Sequence, residues 1–306
     1  MKKLLVMLGK FLVLVVVLFA LCDCAFAAEK LTKIAENVYA YVGTINSSKN
    51  NSFGANAGII IGRNGIVVVD TMISAKEAKR FIRDIRTISR KPIRYVVNTH
   101  YHFDHVFGNS EFAKLGAVVI AQENVKKAME NSARETLKNI GEYGLTPKDM
   151  KGTTLAYPVL TYSDRMTIDI GGQQIELIHA RQSHTDGDTL VYLPGKKVLF
   201  AGDILFTNYH PFLGEGNIEE WAKKLDDIKL MDVEKIIPGH GPLSGKNDLD
   251  DMKKYILMFD QKAKELASQS DDVQKIVTAI QSALPQRPEG AWIIAPNIQM
   301  KYLKKR

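Results

Sequence analysis

Residues 99 to 105 read Thr-His-Tyr-His-Phe-Asp-His, placing three imidazoles and a carboxylate within seven positions, directly after the apolar run Ile93 to Val97. Neutral imidazole is the commonest protein ligand for zinc and its neighbours, and a carboxylate suits harder first-row ions, so the cluster reads as a metal-binding loop. His100, His102 and Asp104 alternate while His105 breaks the alternation, which lets one extended turn send ligands in two directions, toward two adjacent ions. The chain has only seven histidines and a strand-like run leads into the cluster, so a low-complexity histidine tract is the weaker reading.

Four ligands do not close two metal sites, and three later segments offer more. His184 stands in His-Thr-Asp-Gly-Asp, Asp203 in Phe-Ala-Gly-Asp and His240 in Pro-Gly-His-Gly. Asp203 and His240 follow the apolar runs Val198 to Ala201 and Lys235 to Ile237, and ligands at strand ends are held rigidly. Singly, each also fits a turn, a helix cap or a polar loop; their order after the first cluster makes them a set.

In this pattern the chain resembles the metallo-β-lactamase superfamily, matching its His-x-His-x-Asp-His motif and the three later ligand motifs between about Val38 and Gly241. The resemblance implies that His100, His102 and His184 bind one metal, that Asp104, His105 and His240 bind a second, and that Asp203 bridges them. Val67 to Asp70, Val-Val-Val-Asp, resembles the family's first motif, whose aspartate braces the metal loop, although Asp70 also fits a turn residue ending a strand. Thr185 and Asp188 are candidates to hold the other nitrogen of His184, because a ligating imidazole needs an oxygen there. They also fit residues that simply shape the turn. Tyr209 and His210, on the loop leaving Asp203, are candidate substrate contacts, and His179 reads as a core or supporting histidine. The Asn- and Ser-rich loop from Thr44 to Asn56 reads as a flap over the groove.

Two metals that share a hydroxide make water a nucleophile near neutral pH. The constellation therefore implies an exported binuclear-metal hydrolase whose bridging hydroxide attacks an ester, thioester or amide-type carbonyl of a small-molecule substrate. Asp104 would be the catalytic side chain, orienting the hydroxide and relaying its proton. The cofactors would be two divalent ions, with zinc preferred and iron or manganese tolerated by the carboxylate bridge. Asp203 occupies the position where class B β-lactamases place a cysteine, and Phe206 stands where a lysine would hold the drug's carboxylate. The chain thus resembles the glyoxalase II-like and lactonase-like branch. A class B-like β-lactamase and a non-catalytic metal-binding accessory protein of a periplasmic pathway are the alternatives.

The elements that must position these residues alternate between strand and helix. Apolar runs lie at Val38 to Val42, Ala57 to Ile61, Ile66 to Asp70, Ile93 to Val97 and Val118 to Ala121, with helical periodicity near 75 to 89, 109 to 115 and 124 to 142. A second series has strands near 166 to 170, 175 to 179, 190 to 193, 198 to 201 and 235 to 237, and a helix near 218 to 231. Two sheets each covered by helices, of α/β (α+β) class, fit the four-layer αβ/βα sandwich that the resemblance implies. The halves would join between Gly144 and Thr161, where periodicity fades. The expected organisation is a signal peptide at 1–27, a catalytic domain at 28–246 and a C-terminal helical extension at 247–306, helical from Asp248 to Leu284.

Lys2, Lys3 and Lys10 precede the apolar stretch Phe11 to Leu21 and then Ala25-Phe26-Ala27, the pattern of a secretory signal cut after Ala27, which implies a periplasmic or secreted protein. An uncleaved segment would be its one contact with a membrane. Cys22 and Cys24 both lie in that leader, so the mature chain would use neither disulfide nor thiolate ligand. The formal charge is +7, and loss of the leader's three lysines and one aspartate leaves +5, dispersed as on the helix carrying Lys76, Lys79, Arg80 and Arg83. That excludes a strong nucleic-acid reading. Lys301 to Arg306 reads as a frayed basic end.

Overall fold

In the central strands Gly58–Ile61, Ile66–Val69 and Val198–Phe206 every residue is buried, and burial on both faces explains why they read as continuous apolar stretches with little alternation. The structure, a computed structural model, describes residues 31–42 and 46–303, so the expected leader at 1–27 lies outside the described residues. The first sheet has seven strands in the order β1 (Thr32–Ala35), β2 (Val38–Ala40), β3 (Gly58–Ile61), β4 (Ile66–Val69), β5 (Ile93–Val97), β6 (Val118–Gln122) and β7 (Leu160–Tyr162). The second has five, ordered β12 (Lys235–His240), β11 (Val198–Phe206), β10 (Thr189–Leu193), β9 (Gln174–His179) and β8 (Arg165–Asp169).

Neighbouring residues of β4 divide between two cores. Val67 and Val69 join Val97 and Ile120 in facing Val191, Val198, Phe200 and Ile237 of the other sheet. Ile66 and Val68 turn the opposite way, onto Phe81 and Ile85 of helix Ala75–Ile88. That helix begins where the Ser74 side chain accepts from the Glu77 amide, and its Lys76, Lys79 and Arg83 are exposed. On the far side of the second sheet, Trp221 and Leu225 of helix Ile218–Leu230 pack on Leu199, Ala201 and Ile204. The result is helix, sheet, sheet, helix, the expected four-layer αβ/βα sandwich.

The C-terminal segment is less separate than an appended extension. Met252, Tyr255, Ile256 and Phe259 of helix Lys246–Gln269, with Ile276 and Ile280 of helix Val273–Ala283 and Ile294 and Ile298 beyond, belong to the same apolar cluster as Trp221. Sandwich and C-terminal helices thus form one compact unit. The helical stretch breaks at Ser270, and Asp272 starts the second helix by accepting from the Lys275 amide at 3.1 Å. At the end of the described chain Lys301 and Tyr302 are not frayed: the lysine donates to the Gly216 carbonyl and the Tyr302 hydroxyl to Asp260 at 2.9 Å. The periodicity at 124 to 142 resolves into helix Glu123–Ala128, a π-helical turn at Met129–Ala133 and helix Arg134–Lys138. Near the joint between the halves, β7 is three residues long, too short to show a period. No helix among the described residues is long and apolar enough to cross a membrane.

Candidate metal centre

β4 and β5 run parallel, so the chain leaves both at the same end of the first sheet, carrying Asp70 and then the histidine motif. His100 and His102 lie on the irregular chain after β5. Asp104 and His105 occupy the single turn of helix Phe103–Val106, which His102 precedes in an extended conformation. The two ligand directions therefore come from a change of loop into helix, not from one extended turn. From the second sheet, His184 lies between β9 and β10 and His240 ends β12. Asp203 lies inside β11, which continues to Phe206 and does not stop at Ala201; the register breaks at Gly202, whose φ is +54°. A side chain there would meet Thr99 at 2.8 Å, so glycine permits the two sheets to approach beside the site.

These seven residues form two groups, His100, His102, His184 and Asp203, and then Asp104, His105 and His240, with the ligand atoms of each group within 4.8 Å of one another. Asp203 faces both groups: Oδ2 is 3.6 Å from His100 Nε2 and 3.4 Å from His184 Nε2, while Oδ1 is 3.2 Å from His105 Nε2. Asp104 Oδ2 lies 3.5 Å from His240 Nε2 and 3.7 Å from His105 Nε2.

The outward nitrogens determine what the inward ones can bind. His105 Nδ1 donates to Asp70 Oδ2 at 2.9 Å, His240 Nδ1 to the Phe53 carbonyl at 3.2 Å and His184 Nδ1 to the Phe212 carbonyl at 3.1 Å. His100 Nδ1 lies 3.0 Å from the Thr99 hydroxyl, which itself donates to Asp70 Oδ2 at 2.7 Å, so His100 is the donor. With those protons outward, lone pairs face inward. His105 Nε2 and His240 Nε2 then confront each other at 3.4 Å, and His184 Nε2 confronts His102 Nδ1 at 3.0 Å. Such pairs repel unless a cation sits between them. His100 Nε2 and Asp203 Oδ1 are buried without a hydrogen-bond partner, an arrangement that costs free energy unless something binds there. Imidazoles with fixed outward protons, a shared carboxylate and unsatisfied inward atoms fit two divalent cations.

Burial and the two carboxylates pull the imidazoles of the cluster in opposite directions. Burial holds His100 well below the ordinary imidazole range and His184 down at about 3. Burial works the same way on His105, yet Asp203 and Asp104 outweigh it and hold that ring well above its usual value. Burial alone would raise Asp203, but the imidazoles of His105, His240 and His100 keep it well below the carboxylate range.

Residues 51–240 match the metallo-beta-lactamase superfamily. The chain belongs to that superfamily. Among its relatives is a linear primary-alkylsulfatase from Pseudomonas sp. (strain ATCC 19151), 25% identical over 224 residues, which cover 61% of this chain and 42% of the sulfatase. A metallo-beta-lactamase type 2 from Elizabethkingia meningoseptica is 23% identical over 240 residues, 77% of this chain and 88% of that one. Among solved structures, a metallo-beta-lactamase from Pontibacter korlensis superposes with a TM-score of 0.61 at 20% identity, covering 74% of this chain and 98% of its own. At that identity the likeness speaks for the fold.

Within this superfamily member, Asp70 has the bracing position, accepting from the Thr99 amide at 2.8 Å, the Thr99 hydroxyl and His105. Thr185 and Asp188 do not hold the His184 ring as expected. Asp188 accepts the backbone amides of His184 and Thr185 at 2.7 and 2.9 Å and the Thr185 hydroxyl at 2.6 Å, which fixes the loop, and the ring's outward proton goes to Phe212. Tyr209 lines the groove, its ring 4.9 Å from that of His240 and its hydroxyl donating to the Phe53 carbonyl at 2.9 Å. His210 does not. The next residue along turns inward, where its Nδ1 meets the Tyr255 hydroxyl at 2.5 Å, so its role as a substrate contact is withdrawn. His179 bonds the Asp186 carbonyl at 2.9 Å, away from the cluster.

Glu215 was missed. It accepts the Tyr101 hydroxyl and lies 3.6 Å from His102 Nε2, giving the third imidazole of its group an outer carboxylate. Burial would raise Glu215, but His102 and Tyr101 hold it at about 2. Nothing around Gly214-Glu215-Gly216 carries a periodic signal, whereas Tyr101 was visible between His100 and His102.

Proposed function

We propose that this superfamily member is an exported binuclear hydrolase, zinc-loaded by preference, that cleaves an ester, thioester or amide-type bond of a small molecule. One observation carries the reading: Asp203 faces two separate ligand groups, and its Oδ1 and the Nε2 of His100 are buried between them without a hydrogen-bond partner. When bound, the two ions supply an activated water and a Lewis acid at the scissile carbonyl. The chain supplies the rest. Asp70, Thr99, Phe53, Phe212 and Glu215 fix the tautomers and ring orientations of the ligands. Asp104 reaches the groove beside His240, where its carboxylate can accept the water's proton and pass it to the leaving group. Phe206, stacked on the His240 ring at 5.1 Å, Phe212 and Tyr209 exclude bulk water from the groove floor.

Relatives named metallo-beta-lactamase favour β-lactam hydrolysis as a second reading. Against it, an oxygen ligand stands at Asp203 and an aromatic ring at Phe206. Export rests on the leader's composition and on nothing in the described residues. The test is metal content followed by turnover on a panel of lactone, thioester, ester, lactam and sulfate-ester substrates. Carbonyl-ester or thioester hydrolysis that chelation abolishes and zinc restores is the expected result. Two bound metals with no turnover on any class would favour the accessory role.

A further inference from the structure

The groove above the metal cluster has a volume of about 700 Å³, and its walls are aromatic. Phe53 stands 5.3 Å from Trp292 and 6.3 Å from Phe103, which in turn lies 4.7 Å from Tyr143. Three of the wall's large apolar residues are open to solvent, Trp292 at 50%, Tyr143 at 43% and Met300 at 37%. Ile293 and Pro296 complete that side. Surface of this kind, continuous with a reaction centre, gains when a ligand covers it.

The charges of the walls are as informative as their rings. Among the described lining residues there is no lysine or arginine. Beyond Asp104 and Asp203 the groove holds two more carboxylates, Glu142 and Glu215, and Glu215 is already engaged by Tyr101 and His102. A negative group on a substrate, away from the scissile bond, would find no counter-ion and would meet Glu142.

Resting on the hydrolase reading above, we propose that this groove selects substrates whose long apolar arm carries no negative charge, and that the C-terminal segment around Trp292 and Met300 grips that arm. Trp292 and Met300 lie outside the region 51–240 that matches the superfamily, whereas Phe53, Phe103 and Tyr143 lie within it. Phe53 faces Trp292 from the flap, and the flap is tied to the same C-terminal segment: Glu289 accepts the Asn46 and Ser47 amides at 2.7 and 3.0 Å and the Ser47 hydroxyl at 2.8 Å. Flap and C-terminal wall therefore form one clamp.

The test compares kcat/KM of the zinc-loaded chain for p-nitrophenyl butanoate, p-nitrophenyl octanoate, the octanoate bearing a terminal carboxylate and the octanoate bearing a terminal trimethylammonium group. A buried methylene is worth up to about fourfold. The octanoate is expected to exceed the butanoate at least tenfold, a terminal carboxylate to cancel that gain, and a terminal trimethylammonium, which Glu142 and the aromatic rings can accept, to retain more of it than the carboxylate does. The Trp292→Ala, Tyr143→Ala double variant should flatten the dependence on chain length. Equal rates across the series, or preference for the carboxylate-bearing arm, overturn the proposal. A binding measurement keeps it separate from the hydrolase reading: titration with N-octylacetamide should change Trp292 fluorescence at lower concentration than its terminal-carboxylate analogue, with Trp292→Phe as the blank for Trp221. Failure of all four esters with retained octylacetamide preference refutes ester hydrolysis and leaves the groove assignment standing; loss of that preference refutes the groove assignment.

Discussion

Asp70 touches no metal in this account, yet replacing it should weaken metal binding. Its carboxylate accepts from the Thr99 amide, the Thr99 hydroxyl and His105 Nδ1 at 2.7 to 2.9 Å, and through Thr99 it also orients His100. Asp70→Asn keeps the volume but offers one acceptor oxygen, so its NH2 group must face either the Thr99 donors or the His105 proton. One or two hydrogen bonds to a charged group are lost, each worth about 1.5–3 kcal/mol. Loss of an outer partner of a ligating histidine typically costs about 10- to 100-fold in metal affinity. Part of the effect should survive without metal, because the Thr99 bonds hold the loop in its absence; about 2–3 kcal/mol corresponds to a fall of roughly 4–12 °C in Tm. Competition with a chromogenic chelator gives the affinity, and thermal unfolding of loaded and stripped protein separates the two contributions. Unchanged affinity together with an unchanged stripped-protein Tm would refute the bracing role.

Asp104→Asn should retain the fold, because its side chain is partly exposed and packs no core, and should lower turnover by about 100-fold or more; full activity in steady-state assays would remove its proton role. Gly239→Ala would bring a methyl group to 1.9 Å from Asp203 Oδ1, so metal content and Tm should both fall, and a variant with native metal content would show that β12 can shift away. Burial, helped by the Arg287 charge, lowers His210 to about 4, whereas the unfolded residue titrates near 6.5. The folded state therefore prefers the neutral ring, and its contribution to stability is complete above about pH 6.5 and lost as pH falls toward 4. His210→Gln should flatten stability over that window in denaturant titrations, and an unchanged pH slope would contradict the assignment.

The first-sheet strands and the ligand set were legible because each ligand follows a strong apolar run or lies in a Gly- or Pro-marked turn. Contacts made across the fold were not. The outward partner of His184 is a backbone carbonyl, which leaves no mark in sequence, and Glu215 acts 113 positions after His102 from a segment without periodicity. Thr185 and Asp188 were found for their closeness in sequence, but a side chain that near reaches the loop's own amides more easily than the far side of the ring. Tyr209 and His210 were indistinguishable as neighbours; only the packing of helix Lys246–Gln269 against the loop sends one to the groove and the other to Tyr255. The same helix explains why the segment after residue 246 looked separable: its amphipathic pattern announces a helix but not the sheet it covers.

The most direct test of the paired-cation claim is metal stoichiometry of the purified chain by inductively coupled plasma mass spectrometry, alone and with His105→Ala and His240→Ala combined. Two divalent ions per wild-type chain, falling to about one in the double variant, is the predicted result. A chain that binds none, or binds two whether or not those histidines are present, would contradict it.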